Sequence, residues 1–338
     1  MGIPSSESGQ PLRIAMPGGS GLLGHILARH FQEQGHHVSV LTRLPYTAPW
    51  QTVHWNGENT GPWVDYLEGA DVCINLAGRS VNCRYDAANR QKIYNSRIGT
   101  TTLLNRVIEG LDRPPRVWLN ASTATIYRHA LDRPGIDWEM DEATGELGGN
   151  ELISRRRHTP ETWNFSVGVA KDWEAAFFET PTPRTRKVAL RTAIVFSPGP
   201  GSAFAIFSNL VRLSFGGSQG NGRQYVSWIH EGDFARAIEF LIGCEYLAGP
   251  VNIASPNPIP NREFMAALRY AWDVPNGFPI PAPLIKLGAV IMRTESELVL
   301  KSRRVVPGRL LEAGFKFEFP DWPEAAEDLV NRWRHRHD

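Results

Sequence analysis

"PGGSGLLGHILARHF" runs from Pro17 to Phe31, and its reading decides the fold. The apolar run "LRIAMP" (Leu12 to Pro17) leads into it. Gly18, Gly21 and Gly24 then sit three apart before a segment with helical spacing. An apolar run, glycines and an amphipathic stretch read as strand, tight turn and helix. At such a junction the chain must turn sharply, let its backbone approach a diphosphate, and pack the helix close to the sheet. Each task needs a residue without a side chain. The helix N-terminus adds favourable partial charge for phosphates. Gly18, Ser20, Gly21, Leu22, Leu23 and Gly24 are therefore candidate dinucleotide-binding residues.

Outward from this loop the pattern repeats. "HHVSVLT" (His36 to Thr42), "DVCINLA" (Asp71 to Ala77), "RVWLNAS" (Arg116 to Ser122) and "KVALRTAIVF" (Lys187 to Phe196) read as strands. A helix of several turns fits "AANRQKIYNSRIGTTTLLNRVIEGL" (Ala87 to Leu111). Strands alternating with helices predict an α/β, Rossmann-type doubly wound parallel sheet. After about residue 197 the pattern loosens into Gly/Pro-rich joints and shorter helices. The expected organisation is a flexible tail over 1–11, a dinucleotide-binding domain over 12–200 with a return segment near 226–255, and a smaller mixed substrate domain mainly over 201–338.

Composition narrows the function. The 338 residues are 42% hydrophobic and 21% charged, ordinary for a soluble protein. A net charge of +1 supplies no field to recruit nucleic acid or membrane. No apolar stretch is long enough to span a bilayer. The opening "MGIPSSESGQP" has no apolar core and reads as a tail, not a signal peptide. The three cysteines, Cys73, Cys83 and Cys244, follow no pairing motif, which fits a reducing cytoplasm. The histidines show no ligand spacing, so no metal is expected. His230 in "SWIHEGD" reads as a histidine bonding a loop backbone. The insertion from His129 to Thr162, acidic between Asp137 and Glu146, reads as a mobile flap. Arg155-Arg156-Arg157-His158 reads as a solvated loop.

The second strand identifies the dinucleotide. NAD sites place an acid there for the ribose 2′-hydroxyl. This strand ends in Thr42-Arg43 and offers no carboxylate. A guanidinium suits a 2′-phosphate, so NADP is expected, with Arg43 as its contact.

The chain resembles the extended short-chain dehydrogenase/reductases, and within them the "epimerase family protein" branch of the NAD-dependent epimerase/dehydratases, which has an uncharacterised C-terminal domain. The resemblance covers nearly the whole chain. It rests on "GGSGLLG" (Gly18 to Gly24), "INLAGRSV" (Ile74 to Val81), "YNSRIGTTTLL" (Tyr94 to Leu104) and "ALRTAIVF" (Ala189 to Phe196). "GRQYVSWIHEGDFARAI" (Gly222 to Ile238) and "VVPGRLLEAGFKF" (Val305 to Phe317) are the more specific motifs. The resemblance implies that Leu76, Ala77 and Gly78 line the adenosine side of the cofactor. In "ASTATIY" it places the catalytic hydroxyl at Thr123, with Ser122 as a cofactor-side neighbour. Lys171 matches the lysine that binds the nicotinamide ribose, but Val167 stands where the partner tyrosine belongs. This departure fits the branch and removes the usual proton donor. Tyr127 is the nearest phenol in sequence and becomes the alternative.

On the substrate side, "GGSQGNGRQYVSWIH" offers Arg223 and Trp228. The mix could clamp a polar or anionic substrate, or form a domain-joining turn around buried aromatics. The expected partner is a small molecule, and a homodimer is compatible with this reading. Three functions remain: an NADP-dependent oxidoreductase on a small carbonyl or sugar-like compound, a nucleotide-sugar epimerase or dehydratase, and a non-catalytic NADP-binding regulatory protein.

Overall fold

The computed structural model describes residues 10–130, 139–154, 157–291 and 295–336. The expected tail up to residue 9, the flap residues 131–138 and the Arg155-Arg156 pair lie outside them.

Strands β1 (Arg13–Pro17), β2 (His37–Thr42), β3 (Gln51–His54), β4 (Val72–Asn75) and β5 (Val117–Thr123) share one sheet with the later strands Arg186–Thr192 and Gly249–Ile253. All seven are parallel, in the order Gly249–Ile253, Arg186–Thr192, β5, β4, β1, β2, β3. The order reverses at β1, which opens a crevice at the carboxyl ends of β1 and β4. Sequence reading missed β3 and Gly249–Ile253.

Side chains alternate across this sheet, so β1 feeds two cores. Ile14 and Met16 pack with Val38, Val40, Ile74 and Leu119 on one face. Helix α1 (Leu22–Glu33) and the helix Glu231–Gly243 cover that face. Ala15 packs with Leu41, Cys73 and Trp118 on the other, covered by α2 (Ala87–Gly110) and α3 (Glu161–Glu179). The sheet is thus apolar on both faces, as helices on both sides require.

"KVALRTAIVF" does not form one strand. It breaks at Ala193, whose N–H donates to Ile253 O at 3.0 Å. Ile194–Phe196 then turns away to pair with Trp228–His230. This diversion carries Phe196 and Trp228 into a separate aromatic core with Phe204, Phe264 and Trp322. Phe264 and Trp322 stack at 4.2 Å between ring centroids.

The expected mobile flap is corrected over its described part. Residues 139–154 are tied to the molecule by backbone bonds: Met140 N donates to Arg304 O, and Gly148 N to Ile126 O, both at 2.8 Å. Of its acidic groups, Asp141 closes a local turn and Glu142 reaches inward. Asp141 accepts from Ala143 N at 2.9 Å, and Glu142 from Asn252 N at 2.7 Å. Among the described residues no helix is long and apolar enough to cross a membrane.

Candidate functional site

The glycine loop is shaped by contact. Gly18 has φ +74°, and a Cβ there would stand 2.5 Å from Ala77 N. A Cβ on Gly24 would meet Gly19 O at 2.0 Å, so α1 packs on the loop with no room for a methyl. Gly21 differs, because a Cβ there would meet nothing within 4 Å. It heads α1 with no capping side chain, and no acid lies in the first turn. Free N–H groups and the positive end of the helix dipole therefore face open space, an arrangement suited to a diphosphate. Ser20 is exposed beside them, while Leu22 and Leu23 are half-buried against the sheet core. An open cavity of about 360 Å³ begins here and extends past His25 and Arg29 to Ser197 and Gly199, residues the sequence reading did not mark.

The turn after β4 is braced from inside. Asn75 accepts from Ala77 N at 3.0 Å and donates to Asn120 Oδ1 at 2.7 Å. Leu76 N bonds Pro17 O at 2.8 Å, which ties this turn to the glycine loop. On its outer side Arg97 donates to Arg79 O at 3.0 Å, and its guanidinium caps the Trp173 ring. Leu76, Ala77 and Gly78 thus border the crevice on a rigid support. Arg43 stands exposed at the end of β2, with no hydrogen bond or ion pair among the described residues.

The expected catalytic residues part company. Thr123 closes β5, half-buried, and its Oγ1 accepts from Thr125 N at 3.2 Å. Ser122 points to the opposite face, where it donates to Glu174 at 2.6 Å in the interior, so its assignment to the cofactor is corrected. The Tyr127 assignment is corrected too. Its ring is buried, its hydroxyl donates to Asn252 Oδ1 and accepts from Arg191, both at 2.9 Å, and burial pushes its pKa up. That phenol belongs to an internal network, not to the cleft. Lys171 is half-buried on α3 without a partner among the described residues. Val167, one helical turn before it, is buried beneath Gly148.

On the substrate side, Trp228 is corrected: it is fully buried, donates to Asn257 O at 3.1 Å and packs edge-on against Trp322. Arg223 lies exposed on its loop. His230 accepts from Gly232 N at 3.1 Å and meets Asp328 at 2.9 Å, a helix-capping role.

The structure brings in a group that sequence reading missed. Residues 295–303 carry Glu297, Lys301 and Arg303, all buried. Ser166, next to Val167, donates to Glu297 Oε2 at 2.6 Å. Lys301 donates to Thr125 O at 2.9 Å, two residues beyond Thr123. Arg303 lies 3.4 Å from Glu297, with its Nε unpartnered among the described residues. Glu295 accepts from Tyr85 N at 3.0 Å and pairs with Arg84 at 3.3 Å. Burial lowers Lys301 to about 8 and raises the Glu297 carboxyl.

Residues 14–151 fit the model of the NAD-dependent epimerase/dehydratase family, and residues 280–329 fit a domain of unknown function. The chain is 30% identical over 306 residues to the epimerase family protein Mb2239 of Mycobacterium bovis, covering 90% of this chain and 93% of that one. It is 28% identical to the mouse epimerase family protein SDR39U1, covering 94% of this chain and all of the relative. The crystal structure of human SDR39U1 (isoform 2) with NADPH superposes with a TM-score of 0.78 at 26% identity, covering 95% of this chain and 99% of that one.

Proposed function

Because the chain belongs to the NAD-dependent epimerase/dehydratase family, we propose that it is an NADP-dependent oxidoreductase of the atypical extended short-chain type. It would move hydride to or from a small carbonyl or sugar-like substrate. The observation that carries this reading is the open cradle at Gly21, at the head of an uncapped helix. A diphosphate needs that space and those donors.

Arg43 favours NADP over NAD, since an unpartnered guanidinium at the rim suits a 2′-phosphate and no carboxylate competes for it. The similar human protein was crystallised with NADPH, which supports the same choice. Leu76 to Gly78 would border the adenosine, and Lys171 would donate to the nicotinamide ribose. Bound there, the reduced nicotinamide would supply hydride to a carbonyl carbon. Thr123 would donate to the developing oxyanion, because its oxygen accepts from Thr125 N and leaves its O–H free. Residues beyond 201 would close the substrate side through the Glu297–Lys301–Arg303 group.

The burial of Val167 favours a second reading, a non-catalytic NADP-binding regulatory protein, because the usual phenol is absent. A nucleotide-sugar epimerase or dehydratase would lose its usual acid for the same reason. NADPH absorbance followed against a panel of carbonyl compounds separates the three. Substrate-dependent consumption supports the oxidoreductase, and binding without consumption supports the regulatory protein. Sugar isomerisation without net consumption would support the epimerase.

A further inference from the structure

A reductase without a phenol at 167 still needs an acid, and one other phenol sits where the required elements converge. Tyr85 belongs to the loop that follows the Leu76–Gly78 turn. Its hydroxyl lies 3.5 Å from Ser166 Oγ on α3, immediately before Val167. Ser166 in turn meets Glu297 at 2.6 Å. The Phe165 ring packs edge-on against Tyr85 at 5.2 Å, and Glu295 fixes its backbone N–H at 3.0 Å. Hence the β4–α2 loop, the helix that ordinarily carries the acid, and residues 295–303 meet at one phenol.

We propose that Tyr85 is the proton donor of this cleft, with Ser166 and Glu297 forming the relay behind it. The inference rests on reading the cleft as a hydride-transfer site. The contacts permit a relay once Glu297 is protonated: the carboxyl then donates to Ser166 across the 2.6 Å contact, and Ser166 donates to the Tyr85 oxygen, which leaves the phenol O–H free for the substrate. When the carbonyl carbon gains hydride, its π pair moves to oxygen. The Tyr85 O–H bond breaks as that oxygen takes the proton. Ser166 returns a proton to the phenolate, Glu297 returns one to Ser166, and solvent reprotonates the carboxylate. No electrons are exchanged with the side chains.

Burial agrees with these roles. It raises Tyr85 to about 12, so the phenol holds its proton at neutral pH. It also raises Glu297, against the opposing pull of Arg303 and Lys301, so this carboxyl can take and release protons closer to neutrality. Arg97, Arg84, Arg90, Cys83 and Glu295 are further charged or titratable groups around Tyr85.

The test compares wild type with Tyr85→Phe, Ser166→Ala and Glu297→Gln. Tyr85→Phe should lower kcat by about 100-fold and Ser166→Ala by about tenfold, with NADPH affinity unchanged. In cofactor-free protein, the difference between the ultraviolet titrations of wild type and Tyr85→Phe should isolate the high-titrating Tyr85 phenol from the other raised phenols. Glu297→Gln should shift it to lower pH, because the carboxylate charge helps hold the proton on. Normal kcat in both Tyr85→Phe and Ser166→Ala overturns the relay and leaves the oxidoreductase reading standing. A phenol titration unmoved by Glu297→Gln also overturns the relay. Wild type that consumes no NADPH with any carbonyl overturns both.

Discussion

Val167 lies directly beneath Gly148, so closely that a Cβ on the glycine would stand 3.0 Å from a valine methyl. The position where the sequence resemblance expects a phenol is therefore closed by the 139–154 segment. Restoring the phenol by Val167→Tyr should overpack this contact and cost about 1–3 kcal/mol of stability. It should yield no gain in carbonyl reduction. Urea unfolding and a turnover assay check both parts, and a faster, equally stable variant would show that the segment yields.

The glycines of the loop should separate by function. Gly21→Val should leave a folded protein that no longer binds NADPH, since its side chain enters open space where the diphosphate belongs. Gly24→Val should instead destabilise the fold by about 3 kcal/mol or more, because its Cβ meets backbone at 2.0 Å. Thermal unfolding and cofactor titration on the two variants distinguish the jobs.

Lys171→Met keeps the aliphatic stem and deletes the donor. If the ammonium meets the nicotinamide ribose, NADPH affinity should fall by about 1–3 kcal/mol. An ordinary helix lysine would change binding by under about 0.5 kcal/mol. Calorimetry gives the answer.

Acid should loosen the C-terminal segment through His129. Its Nδ1 accepts from Ser302 N at 3.0 Å, and burial beside Lys301, Arg303 and Arg128 lowers its pKa from 6.5 to about 4. Below pH 6.5 the unfolded chain binds a proton that the folded one refuses. The stability is therefore present above 6.5 and lost progressively as pH falls towards 4. The loss should reach about 1–3 kcal/mol, and His129→Asn should flatten it in pH-dependent unfolding.

Much of this site was legible because some residues perform steric jobs that only one residue type can do. Gly18 and Gly24 are of that kind. Ser122 and Thr123 were less separable. Strand period puts them on opposite faces, but the letters alone do not say which face carries the helix. Tyr127 fitted a spacing rule and still turned inward, because Arg191 and Asn252 satisfy its hydroxyl from strands far along the chain. Trp228 was marked by aromatic company that serves a core equally well. The Glu297 group was invisible: Ser166 lies 131 residues from Glu297, and Thr125 lies 176 from Lys301. The strands missed were short, and β3 is half-exposed, which hides its pattern.

The central claim is that this cleft is built for NADP, and paired calorimetric titrations of NADPH and NADH test it most directly. NADPH should bind at least about tenfold tighter, roughly 1.4 kcal/mol, and Arg43→Ala should erase most of that difference by weakening NADPH alone. Equal affinities in the wild type, or a preference that survives Arg43→Ala, would contradict the claim.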